Sequence, residues 1–220
     1  MKLPLINSAD ELQQLVEEIG FLPFFRTHIS GYSLEECTPP GRWFEKGVEG
    51  PWEWREELAL RGSAAYGKLF MRKAGFVSPA WYPVLANYRR DGYDFDARFE
   101  DGLAPHNQKA VMDLVLARGP MLSVELKEQS GIAKGFDTVM QKLQMQTYLT
   151  VREFRYKRDR FGFPQGWGVG RYCMPEDIWG ADTLAAGYAE EPADSFGRIV
   201  EHIAALWPGV DRADIVKLIK

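Results

Sequence analysis

Between His106 and Arg171 eleven Lys and Arg side chains face six Asp and Glu, a local charge of +5 in a chain of net charge −4, so the remainder carries −9. The densest group is Arg152, Arg155, Lys157, Arg158 and Arg160. It follows Tyr148-Leu149-Thr150-Val151, a β-branched and aromatic run. That run breaks at Phe161-Gly162-Phe163-Pro164-Gln165-Gly166 and resumes from Trp167 to Tyr172, as a hairpin does. Cations clustered on a strand pair can neutralise phosphates, and the counterions so released depend on the local cluster more than on total charge. The competing reading is a charged strand edge that protects the hairpin from aggregation.

Other candidate chemistry is sparser. Glu56 and Glu57, and the group Asp91, Asp94, Asp96, Glu100 and Asp101, could supply a general base, although a solvated acidic face is the ordinary role of such clusters. His28, His106 and His202 are scattered without metal-ligand spacing, so each is read as structural. Cys37 and Cys173 form neither a disulfide framework nor a zinc pattern. Gly166-Trp167-Gly168-Val169-Gly170 is glycine rich but lies in the hairpin with no helix behind it to receive a phosphate. There is no Walker loop, dinucleotide fingerprint, GxSxG or HExxH. No cofactor, nucleotide cofactor or metal is therefore expected. Trp43, Trp52, Trp54, Trp81 and Tyr82 either line a pocket that stacks a base or fill the core, and core is the commoner fate.

The elements that position these groups can be read from periodicity. Asn107 to Ala117 carries Val111, Leu114 and Val115 on one face and stops at Arg118-Gly119-Pro120. A short helix capped by Ser123 runs to Ser130-Gly131. In the third helix Phe136, Val139, Met140 and Leu143 face inward, leaving Lys134, Asp137, Thr138, Gln141 and Lys142 outside. Three helices followed by a basic hairpin is the order of a winged helix, whose third helix meets a groove.

Upstream, Ser8-Ala9-Asp10-Glu11 has the form of a capping box before Leu12, Leu15, Val16 and Ile19, with Gly20 as the stop. Phe21-Leu22-Pro23-Phe24-Phe25 reads as a buried connector and residues 30–51 as a loop. A helix is expected from Pro51 through Ala65, and another capped by Ser78 with Pro79 at its first position, ending near Tyr88 or Arg90. Downstream, Phe196, Ile199, Val200, Ile203 and Leu206 predict one helix and Ile215, Val216 and Ile219 a last one. The picture is mostly helical with one hairpin.

Length, at 220 residues, and 45% hydrophobic content suit a folded domain with a real core. No apolar run approaches the roughly 18 residues a membrane span needs, and the opening residues turn polar too early for a secretory signal. A cytoplasmic protein without membrane contact is expected.

Residues 110 to 179 resemble the second winged helix of the AlkZ-like (YcaQ-like) winged-helix DNA glycosylases. The likeness rests on Leu116-Ala117-Arg118-Gly119-Pro120, on Ser123-x-Glu125-Leu126, on the passage from Leu143 to Val151, and on Arg171-Tyr172-Cys173-Met174-Pro175-Glu176-Asp177. Trp54 through Ala65, Phe76-Val77-Ser78-Pro79-Ala80-Trp81-Tyr82-Pro83 and Tyr88-Arg89-Arg90 are similar to the family's preceding stretch, so the likeness spans half to two-thirds of the chain. It implies DNA repair chemistry, with a Gln, an aliphatic residue, then Asp or Gln positioning the attacking water. The matching place here reads Leu22-Pro23-Phe24, with no polar group to polarise water.

The expected fold is mainly α with small β (α+β): a winged helix-turn-helix, with room for tandem modules, plus C-terminal helices. The expected layout is residues 1–105 as a helical region or degenerate first winged helix, 106–180 as the winged helix, and 181–220 as a helical segment packed on the body. The leading function is binding of double-stranded DNA through Lys134, Thr138, Gln141, Lys142, Arg152, Arg155, Lys157, Arg158 and Arg160, without catalysis. Two alternatives stand beside it: a glycosylase with a relocated carboxylate, Glu56 or Glu57, and a winged helix turned to protein or ligand binding. Oligomeric state is not legible.

Overall fold

A computed structural model describes residues 2–45, 47–162 and 164–220, apart from the side chain of Pro164; Phe163, in the expected hairpin break, lies outside the described residues. Helix α1 (Ala9–Ile19) begins at Ser8, whose Oγ accepts from the Glu11 amide at 3.2 Å, while the Glu11 carboxylate accepts from the Asn7 amide at 2.7 Å. Leu12, Leu15, Val16 and Ile19 are buried, each worth roughly 1.5–3 kcal/mol of transfer free energy. Gly20 ends the helix at φ +78°, and a Cβ there would lie 2.5 Å from the Trp81 ring, so both backbone and space require glycine.

The next segment is buried as expected, but it is strand β1 (Phe21–Pro23) and not an irregular connector. Pro23 fits because β1 is an edge strand in a sheet of order β1-β3-β2 and needs no donor on its open side. Short helix α2 (Leu34–Cys37) interrupts the loop that follows. Helix α3 (Pro51–Arg61) stops at Gly62 in the left-handed region, short of the expected Ala65.

Strands β2 (Ala65–Phe70) and β3 (Lys73–Val77) then form a second hairpin, which corrects the single-hairpin expectation. Its turn places Met71 and Arg72 at φ +46° and +66° without the Asn or Gly that would have announced it. Helix α4 (Tyr82–Arg90) starts later than Ser78 and Pro79 suggested, because the Ser78 carbonyl takes the Trp81 and Tyr82 amides in a preceding turn.

Helix α5 (Phe95–Glu100), capped by Asp94, leads into α6 (His106–Arg118), β4 (Met121–Leu122), α7 (Ser123–Gln129) and α8 (Phe136–Met145). At α7 the capping carboxylate is Glu125, accepting from the Leu122 amide at 2.8 Å, so Ser123 is the first helical residue and not the cap. Strands β5 (Thr150–Arg158) and β6 (Pro164–Cys173) follow, and with β4 they make a second antiparallel sheet of order β4-β6-β5. The expected helix, helix, helix, hairpin order is present. The chain is α+β, with α9 (Glu176–Trp179), α10 (Ala181–Ala185), α11 (Pro192–Leu206) and α12 (Arg212–Ile219) closing it.

Two apolar clusters result. One gathers Val111, Val115, Leu126, Phe136, Leu143 and Leu149 beneath α6 to α8. The other joins α1, the first sheet and α3 to the C-terminal helices through Ile199, Ile203, Ile215 and Leu218. Tyr172 on β6 touches both. Arg90 lies beside that junction, buried: it pairs with Glu176 at 2.6 Å, donates to the Thr147 carbonyl and stacks over Tyr148.

Candidate nucleic-acid interface

Strands β5 and β6 pair from Thr150 opposite Cys173 to Arg158 opposite Pro164, with breaks in register after Val151 and Arg155 that twist the ribbon. Its basic residues divide by position. Arg152, at the root, donates to the Ala59 and Leu60 carbonyls at 2.9 and 2.7 Å, satisfying the open C-terminal end of α3. Arg155 hydrogen-bonds Glu153 at 3.1 Å, and Arg171 reaches the same carboxylate at 2.9 Å. Burial pushes that carboxyl up, but the two guanidinium groups outweigh it and hold Glu153 below its usual range.

Lys157, Arg158 and Arg160 are exposed toward the tip. Arg158 donates to the Gly162 carbonyl at 2.6 Å and Arg160 lies 4.6 Å over the Phe161 ring. Among the described residues no carboxylate lies within 4 Å of any of these three cations. Phe161 and Trp167 share the ribbon, 69% and 71% exposed. Cations and aromatic faces displayed together are what a nucleic-acid strand can use, through its phosphates and its bases.

Below the ribbon lies an aromatic basin of about 320 Å³. Trp52 on α3 meets Trp167 edge to face at 5.4 Å, Trp43 at 5.8 Å and Phe24 at 5.2 Å. Arg55, one turn along α3 and only 8% exposed, enters this wall. Its guanidinium lies 4.7 Å from the Trp52 ring, 4.1 Å from Phe154 and 5.6 Å from Tyr66, and it donates to the Tyr66 hydroxyl. Ring faces take the place of a carboxylate here, each worth about 2 kcal/mol when desolvated. Trp43 and Trp52 therefore line a pocket, whereas Trp54 and Tyr82 are core and Trp81 stacks on His202 at 4.1 Å.

The two candidate carboxylates separate. Glu57 is exposed and paired with Arg61, which also holds Asp10 at 2.7 Å, an arrangement that ties α3 to α1. Glu56 is half-buried and accepts from the Tyr156 hydroxyl of β5. Burial raises Glu56 to about 7, Arg55 opposing and Glu53 adding to the rise. The Asp91 to Asp101 group works locally: Asp94 caps α5, accepting from the Ala97 amide at 2.8 Å, Asp91 ends α4, and Asp96 pairs with Lys109. Among the described residues no group of His, Cys, Asp and Glu could hold a metal, and both cysteines are free and buried.

Thr138 and Lys142 are exposed on α8, whereas Lys134, expected on this helix, is exposed in the segment before its first residue, Phe136. Gln141 donates to the Arg72 carbonyl at 3.2 Å, and the Gln144 side chain accepts from the Lys68 amide at 3.0 Å. The β2–β3 hairpin thus covers one flank of the helix, and the Gln141 amide is spent on its turn instead of facing outward.

Leu22 and Phe24, at the place where the glycosylase motif was expected, are fully buried, and Phe24 forms part of the floor of the aromatic cluster. Arg55 went unnoticed in the sequence. Its signal was the Trp52 to Arg55 spacing of three on a helix, which places the guanidinium over the ring.

These features define an α+β protein that displays a basic antiparallel ribbon above an aromatic basin. The chain belongs to the AlkZ-related family, whose model matches residues 6–220, well beyond the stretches that carry the motif-level likeness. No curated protein and no solved structure matches it. Membership relates the chain to DNA-repair glycosylase-like proteins.

Proposed function

We propose that this protein binds duplex DNA as a winged helix, with the β5–β6 ribbon as its wing, and that the basin beneath accepts a base displaced from the stack. The observation that carries this reading is the ribbon tip: Lys157, Arg158 and Arg160 stand exposed beside Phe161 and Trp167, with no ion-pair partner among the described residues. Phosphates meet the cations, and a splayed base stacks on the exposed face of Trp167, beside Trp52. Thr138 and Lys142 contribute from α8 and Lys134 from the segment before it; the helix lies along the backbone because the β2–β3 turn blocks deep insertion on one flank. Arg155 adds charge at the rim. Arg152 and Gln141 serve the fold.

Leu22 and Phe24 cannot position water, so the family's usual chemistry has no carrier at that place. One observation favours a second reading, a glycosylase working through Glu56, because a carboxyl raised to about 7 can accept a proton near neutrality. In that reading Glu56 takes the proton of the attacking water as the C1′–N bond of an alkylated nucleotide breaks and the base leaves.

The test is fluorescence anisotropy with an intact and an N7-methylguanine-containing duplex, with free base measured in parallel. Binding weakened at least tenfold by Lys157→Ala/Arg158→Ala/Arg160→Ala, with no base released, supports the binding reading. Base release abolished in Glu56→Gln with affinity retained supports the enzyme. No binding to either duplex at low salt refutes both.

A further inference from the structure

A cleft of about 540 Å³ lies away from the ribbon, where the exposed side of α8 meets α4, the segment before α6, the β2–β3 turn and Lys220. Its volume falls within the roughly 300–1,000 Å³ of small-ligand pockets. Arg72, Lys142, Lys220 and Arg89 line it, and among the described residues no Asp or Glu side chain does.

Arg89 is the most telling of the four. Its guanidinium donates to the Met145, Leu69 and Ile219 carbonyls, gathering the ends of α8 and α12 and strand β2. Its Nε is buried without a partner, and no carboxylate lies within ion-pair distance among the described residues. Burial lowers it to about 10, so a cation remains there at neutral pH, compensated only by carbonyl dipoles.

Two carboxamides complete the lining. Gln108, 2% exposed, and Gln146 both leave their Oε1 buried and unpaired, and neither side chain makes a hydrogen bond to the described residues. An amide can present either its oxygen or its N–H₂ after rotation, so both stand ready for a heterocycle edge or a hydroxyl. Buried amides without partners are costly, and a ligand that engages them removes that cost. Leu103, Pro105 and Met145 add apolar lining.

Cations, apolar side chains and unpaired amides in one cleft match the three parts of one ligand class: phosphate, flat ring and ring edge. We propose that this cleft binds a nucleoside 5′-phosphate, free or as the terminal nucleotide of a DNA strand, with Arg72 and Lys142 on the phosphate and Gln108 and Gln146 on the base. The proposal is independent of the wing, since none of the described ribbon residues lines the cleft.

Isothermal titration calorimetry with the four deoxynucleoside 5′-monophosphates, with deoxyadenosine and inorganic phosphate as controls, tests the free form. At least one monophosphate is expected to bind with Kd below about 1 mM, each control about tenfold more weakly. Lys142→Glu and Arg72→Glu change exposed side chains and should preserve the melting temperature while weakening binding at least about tenfold each. Lys157→Ala/Arg158→Ala/Arg160→Ala should leave it unchanged.

A second arm compares 5′-phosphorylated with 5′-hydroxyl oligonucleotides. Preference for the phosphorylated end, lost in Lys142→Glu, assigns the site to strand termini even where free monophosphates fail. The proposal is overturned if neither a monophosphate nor a phosphorylated end is preferred, if inorganic phosphate binds as well as every monophosphate, or if Lys142→Glu and Arg72→Glu bind like the parent.

Discussion

Tyr156, on the basic ribbon, donates its hydroxyl hydrogen to the Glu56 carboxylate on α3. With Arg152 on the Ala59 and Leu60 carbonyls, this makes two polar ties from β5 to one helix. The root of the ribbon is therefore fixed over the aromatic basin, while the three tip cations project past it.

The Glu56 tie makes stability depend on pH. Folded Glu56 holds its proton to about 7 against an ordinary value of 4.5, so between these values the folded state binds the extra proton. Stability from this group is present below 4.5 and lost as pH rises through about 7. Glu56→Gln keeps an acceptor for Tyr156 and removes the buried charge. Urea unfolding should find the variant more stable than the parent at about pH 8, by about 1 kcal/mol after discounting for solvent screening, and level with it near pH 4.5. A variant no more stable at the higher pH would place the Glu56 carboxylate in water.

Trp167 is 71% exposed, so Trp167→Ala should cost little stability. It should weaken binding of a duplex carrying an abasic-opposed or mismatched base by about 1–3 kcal/mol, the worth of one stacking face. Quenching of tryptophan fluorescence by such DNA, retained in full by the variant, would remove the basin from the binding model.

Arg152→Ala should act in the opposite manner. Two hydrogen bonds to helix-end carbonyls disappear, which lowers stability by about 1.5–3 kcal/mol, while DNA affinity stays within about twofold of the parent. Thermal unfolding and anisotropy on the same preparation separate the two effects. A large affinity loss without destabilisation would return Arg152 to the phosphate-binding set.

Arg90→Leu leaves the Glu176 carboxylate unpaired at the junction of the two apolar clusters. Destabilisation of about 3–5 kcal/mol is expected, with much of it recovered in the double variant Arg90→Leu/Glu176→Leu. A single variant within about 1 kcal/mol of the parent would mean that water replaces the guanidinium.

The sequence was most legible where local signals were strong. Ser8 and Glu11 announced α1, and the spacing of Val111, Val139, Leu143, Ile199 and Ile203 set the inner faces of three helices correctly. The β2–β3 hairpin escaped because its turn residues, Met71 and Arg72, carry no glycine or asparagine, and because Gly67 and Gly75 weaken the strand pattern. At the site, charge along β5 was visible but its allocation was not. Arg152 meets the end of α3 through a contact across more than ninety residues, which periodicity does not encode. Arg89 and Arg90 looked like a basic helix end, yet both point into the molecule and bind carbonyls. Trp43, Trp52 and Trp167 are brought into one basin, with Phe24 packed beneath Trp43 and Trp52, only by segments far apart in the chain.

The central claim is that the ribbon tip neutralises DNA phosphates, and the salt dependence of duplex affinity measures this directly. For the parent, log K should fall linearly with log salt. In Lys157→Ala/Arg158→Ala/Arg160→Ala that slope should be shallower by roughly 2–3, close to 0.9 for each phosphate that is no longer neutralised. Parallel lines for parent and variant would contradict the account.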